Sequence, residues 1–147
     1  TEGIVGYSIG KKSSKMFINT AKNSLILSFI TGVLISIFFL FFAKEIINLL
    51  TDLEILRFLT YKYLIWVILI PPVASIAYQL DGIFIGATQT KELRNAMIVS
   101  VIIYLFLSVF LTKQLHNYGI WFSLLLFMIL RASTLHFYFS KILNQFR

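Results

Sequence analysis

Long apolar runs alternate with short polar connections along this chain, and four of the runs are long enough to cross a bilayer. A hydrocarbon core about 30 Å thick takes about 20 helical residues at a rise of about 1.5 Å each. Residues 23–43 carry no charge between Lys22 and Lys44 and include SLILSFITGVLISIFFLFFA. Residues 63–86 are interrupted only by Asp81, near the end of the run. Residues 95–112 are uncharged throughout, and residues 119–140 hold a single Arg131. The strands of a membrane barrel alternate polar and apolar positions over about 10 residues, whereas these runs are apolar on every side. Helices also satisfy their own backbone in lipid. The pattern therefore predicts an all-α, polytopic membrane helix bundle with four full transmembrane helices.

The opening TEGIVGYSIG is too short to span and reads as the end of a preceding helix. Its Gly3, Gly6 and Gly10 suit close packing against a neighbour. That neighbour is expected upstream of Thr1, which makes the chain a fragment or a split-gene product in this reading.

Composition adds the solvent and the orientation. Of 147 residues, 59% are apolar and 13% charged, so the lipid bilayer is the implied partner. Without cysteine there is neither a disulfide framework nor a thiolate metal site. The net charge of +7 does not indicate nucleic acid, because the basic residues sit between apolar runs and form no continuous basic face. Lys11, Lys12, Lys15, Lys22, Lys91, Arg94, Lys141 and Arg147 fall on one side of the membrane, against Lys44, Arg57, Lys62 and Lys113 on the other. The positive-inside rule then predicts a multi-pass protein of the cell inner (plasma) membrane with both chain ends cytoplasmic. Between Lys44 and Lys62, Glu45, Asp52 and Glu54 stand among Ile46, Ile47, Leu49 and Leu50, which predicts an amphipathic surface segment on the outer side.

Candidate chemistry sits in the second and fourth runs. An ionised side chain inside a membrane costs at least ~2.5 kcal/mol, so Asp81 and Arg131 need an explanation. Asp81 either lies close enough to the membrane surface to be hydrated, or capping a break before Gly82, or serves a proton or cation. Arg131, about a dozen residues into its run, keeps its charge and cannot cycle protons; an ion pair or carbonyl contact that locks helices suits it better than substrate contact. The two can pair only if their depths match. Pro71 and Pro72 remove two backbone donors and predict a kink, with freed carbonyls that line a cavity or meet polar neighbours. Ser75, Tyr78, Gln79 and Gly82 share one helical face with Asp81 at its edge. That face is expected to look into the protein, as cavity lining or as close packing through Gly82 and Gly86. His116 and His136 have no second ligand at metal spacing. No nucleophile with its base, phosphate-cradling loop or catalytic carboxylate pair is present, so neither an enzyme nor a cofactor is expected.

Three stretches resemble the multidrug and toxic compound extrusion (MATE) family, and within it the branch of DNA-damage-inducible protein F. PPVASIAYQLDGIFIGATQTKELRNAMIVS resembles the tenth helix of that branch, the loop after it and the start of the eleventh helix. TEGIVGYSIGKK resembles the end of the eighth helix, and GIWFSLLLFMILRASTL the twelfth, with its arginine in place. The resemblance covers essentially the whole chain. It implies a portion of the C-terminal lobe of a twelve-helix transporter, in which a proton or sodium gradient drives export of organic, often cationic and aromatic, compounds. The partners it implies are a small organic, cationic substrate and the missing N-terminal helices, in the same transporter or in a separate chain. The first- and seventh-helix acids that the family uses for coupling lie outside this sequence. The tenth-helix acid of the sodium-type members stands further from the loop glycine than Asp81 does from Gly86. Two other functions fit the same residues: a non-transporting structural or vestigial segment of a truncated gene, and a lipid-type flippase of the wider superfamily. Candidate transport or gating residues are Pro71, Pro72, Ser75, Tyr78, Gln79, Asp81 and Arg131.

Overall fold

The computed structural model describes residues 1–146. Its helices are α1 (Glu2–Gly10), α2 (Ser14–Leu50), α3 (Glu54–Gly86), α4 (Thr90–Leu115) and α5 (Asn117–Leu143), followed by a 3₁₀ turn at Asn144–Phe146. No strand occurs among the described residues. Each apolar run lies within one of the four long helices, and all four have the length and composition to cross a membrane. With 37 residues, α2 is about 55 Å long and outreaches the hydrocarbon core at both ends.

The two connections at the lysine-rich end are built alike. At the end of α1, Ser13 N–H donates to Ser8 O at 3.0 Å and Lys12 N–H to Ile9 O at 2.8 Å. At the end of α3, Gln89 N–H donates to Phe84 O at 3.0 Å and Thr88 N–H to Ile85 O at 2.9 Å. Both patterns are Schellman caps. Lys12 (φ 51°) and Thr88 (φ 59°) occupy the left-handed position that glycine normally fills. Ser13 then starts α2, its hydroxyl accepting from Met16 N–H at 3.4 Å.

The region between Lys44 and Lys62 differs from its expectation. It forms no separate surface segment, because α2 continues to Leu50, α3 begins at Glu54, and only residues 51–53 break the two. Arg57 folds back over this turn, with Nε donating to Thr51 O at 2.8 Å and Nη2 to Asn48 O at 3.2 Å. A guanidinium thus satisfies carbonyls that the end of α2 would otherwise leave open.

Packing centres on α3, which touches every other helix, while α4 leans chiefly on α5. The main core lies toward the lysine-rich end, where Val5, Phe17, Ile83, Phe84, Leu135 and Ile142 are fully buried. Phe17 of α2 stacks on Phe139 of α5 with centroids 5.4 Å apart. Toward the other end, Tyr63 meets Tyr118 at 5.1 Å and Trp66 meets Phe122 at 6.2 Å, an aromatic belt of the kind found at membrane surfaces. Only 11% of the most apolar stretch of α2 is buried, so nearly all of its apolar surface is left for lipid or further protein.

Short α1 finds a neighbour within this chain, which changes the reading of its glycines. A Cβ at Gly86 would come within 2.6 Å of Glu2 O and 2.9 Å of Glu2 Cα, and one at Gly6 within 3.4 Å of Gly86 O. Close approach therefore runs through Gly86 and Gly6, while Gly3 and Gly10 face open space.

Candidate functional site

Continuous through Pro71 and Pro72, α3 still loses two helical hydrogen bonds there. The missing N–H groups would have bonded to the carbonyls four residues earlier, at Val67 and Ile68. Ser36 of α2 supplies the second: its Oγ lies 2.6 Å from Ile68 O. One turn further along, Ser75 Oγ donates to Pro72 O at 2.8 Å and Ser28 Oγ donates to Ser75 O at 2.9 Å. Between Ser28 and Ser36 stands Gly32, where a Cβ would lie 2.8 Å from both Pro71 O and Pro72 Cα. The double proline is thus seated on a small-residue stripe of α2, Ser28–Gly32–Ser36, which closes the gap between backbones and caps a freed carbonyl. These α2 residues are the functional candidates that the sequence reading missed. Their four-residue spacing was the available signal.

A groove of about 470 Å³ opens beside this seat. From α2 it takes Ser24, Ser28, Thr31 and Gly32, and from α3 it takes Pro71, Ser75, Tyr78 and Gln79. Gln79 Nε2 donates to Thr1 Oγ1, which closes one side. Ser75, Tyr78 and Gln79 therefore do share a face, and within this chain that face is open, with Tyr78 58% exposed. An open groove of hydroxyl, amide and phenol groups on apolar walls can hydrogen-bond a ligand and offer a ring face to a cation. Pro72 lies against Gly32. Gly82 faces the Glu2 side chain of α1, at 3.7 Å from its Cγ.

Asp81 is turned away from that groove toward α5. Arg131 grips it side-on, with Nη2 2.7 Å from Oδ2 and Nε 3.1 Å from Oδ1. The two side chains are 13% and 14% exposed, so the pair is largely withdrawn from its surroundings. Depth matches because α5 runs on past the end of α3, as the Phe139–Phe17 stack near the start of α2 requires. The middle of α5 is thereby level with the last turns of α3. Two parallel N–H···O bonds from one planar guanidinium fix both position and orientation. The geometry brings Asp81 and Arg131 together as one unit and separates them from Ser75, Tyr78 and Gln79. Chemically the pair neutralises two charges and ties α3 to α5.

His116 sits in the turn between α4 and α5 with φ at 51°, and His136 lies on α5 beside Ser133 and Phe137 in a separate groove. Among the described residues, no group of three or more His, Asp or Glu side chains could hold a metal ion.

Comparison with known proteins agrees with this architecture. The family model MatE matches residues 1–112. DNA damage-inducible protein F of Escherichia coli (strain K12) is 33% identical over 130 residues, which is 88% of this chain. The chain spans 28% of the length of that relative. No solved structure gives a significant match. With four membrane-length helices and the family match covering three of them, the chain belongs to the MatE family of multidrug and toxic compound extrusion proteins.

Proposed function

We propose that the chain works as a portion of the C-terminal lobe of a cation-coupled multidrug efflux antiporter, one that exchanges protons or sodium for small organic cations. Family membership supports transport, and the observation that carries the finer reading is the groove beside Pro71. It sits where α3 has lost two backbone hydrogen bonds, next to a phenol, an amide and hydroxyls. Membrane helices tolerate such freed backbone groups where these line a cavity or meet polar neighbours. In this reading Tyr78 offers its ring to an aromatic cation, Ser75 and Gln79 hydrogen-bond it, and Pro71 and Pro72 are the point at which α3 yields. Asp81 and Arg131 hold α3 on α5 and take no part in ion exchange. The lysine-rich end faces the cytoplasm of the inner membrane, placing both chain ends there.

The test is transport by the gene's whole product, in inverted membrane vesicles loaded by an imposed proton or sodium gradient, with ethidium as the probe. Ethidium accumulation that collapses when the driving gradient is dissipated supports the antiporter and names the ion. Movement of a fluorescent lipid instead would assign the flippase, and movement of neither would leave a structural membrane segment.

A further inference from the structure

The first three turns of α2 carry a polar stripe that the groove and the ion pair do not use. Phe17 and Ala21 point inward and are buried. At about 100° per residue, Lys15, Asn19 and Lys22 fall on the opposite side of the helix, and all three are exposed. A groove of about 370 Å³ runs along one flank of this stripe, lined by Ser13, Lys15, Met16, Asn19, Thr20 and Asn23, with Lys22 on the stripe's other edge.

Depth, charge and continuity each bear on what fills it. The uncharged run begins at residue 23, so residues 13–22 stand at headgroup level, about 15 Å of helix. The ion pairs among the described residues are Asp52–Arg57, Asp81–Arg131 and Glu92–Lys141, and none involves Lys15 or Lys22. The same helical face then continues into the membrane as Ile26, Phe29 and Ile30, exposed at 49%, 45% and 48%. Cationic and amide groups above, with bare apolar surface directly below, match a phospholipid from head to tail. A free anion would use only the upper half.

We propose that this face of α2 is a binding site for an anionic phospholipid. Lys15 and Lys22 flank the headgroup phosphate, Asn19 donates its amide between them, and the acyl chains lie along Ile26, Phe29 and Ile30. A basic cluster beside a span at the lysine-rich surface is the arrangement that recognises such headgroups.

Native mass spectrometry of the full chain in detergent tests this, with phosphatidylglycerol and phosphatidylcholine of identical acyl chains as probes. The expected result is tighter binding of phosphatidylglycerol, with the preference falling roughly fivefold for each lysine removed in Lys15→Gln and Lys22→Gln. Lys62→Gln with Lys113→Gln, at the opposite end, should leave the preference intact. Equal binding of the two lipids, or an unchanged preference in Lys15→Gln with Lys22→Gln, would overturn the proposal. Full displacement of phosphatidylglycerol by millimolar inorganic phosphate would reassign the site to a free anion. Should the lysine variants fail to fold, the wild-type preference must still shrink as salt rises, and a salt-independent preference would equally overturn it.

Discussion

Ser36 Oγ stands 2.6 Å from the carbonyl of Ile68, the one group in α3 that Pro72 strips of its helical partner. A side chain on one helix thereby repairs the backbone of the next. Ser36→Ala should cost about 0.6–1.7 kcal/mol, the range for hydrogen bonds between membrane helices, when the chain is unfolded by SDS titration in mixed micelles. In a Pro72→Ala background the peptide N–H returns and the cost of Ser36→Ala should shrink toward zero. Equal costs in both backgrounds would show that the serine acts elsewhere.

At Gly32 the obstacles to a side chain are backbone atoms, Pro71 O and Pro72 Cα, each 2.8 Å from where a Cβ would stand. Backbone cannot rotate away as a side chain can. Gly32→Ala is therefore expected to destabilise by about 1–3 kcal/mol, the usual cost of overpacking. Gly3→Ala, which meets nothing within 4 Å, is the control and should be near neutral in the same titration.

The Asp81–Arg131 pair predicts a specific non-additivity. Asp81→Asn or Arg131→Met alone leaves a largely buried charge unpaired and should cost about 3 kcal/mol or more. Combining the two should recover most of that loss, and the double-mutant cycle measures the coupling. If the single losses simply add, the two side chains are independent and the lock assigned to them does not exist.

Thr88 holds φ at 59° although it is β-branched, a conformation that favours glycine. Thr88→Gly should stabilise the cap after α3 by about 1 kcal/mol, read as a higher midpoint in thermal unfolding. A lower midpoint would mean that the Thr88 hydroxyl, bonded to Ala87 O at 2.7 Å, outweighs the backbone strain.

How far the sequence foretold this molecule depends on the range over which each feature is decided. The four spans were legible because length and uniform apolarity are local properties. The tight turn at residues 51–53 was not, since a run such as Ile46–Leu50 suits a continuing helix as well as a surface one. The caps at Lys12 and Thr88 carry no glycine at the left-handed position, so their signature was absent. At the candidate site, Ser75, Tyr78 and Gln79 followed from helical spacing, and the double proline marked where carbonyls would be freed. Which residue would receive such a carbonyl depended on the register of α2 against α3. Whether Asp81 and Arg131 share a depth depended on how far α5 overruns α3. Neither offset is written in any single segment.

Asp81 and Arg131 also leave the ribosome at different times. Fifty positions separate them along the chain. At about 5–20 residues per second, α3 is made roughly 3–10 s before its counter-ion exists. During that interval a lone carboxylate would cost at least ~2.5 kcal/mol within the bilayer, so α3 has reason to stay near the surface, or beside the insertion machinery, until α5 arrives. A helix made later would then complete the seating of an earlier one, making the pair a checkpoint in assembly as well as a tie in the finished bundle.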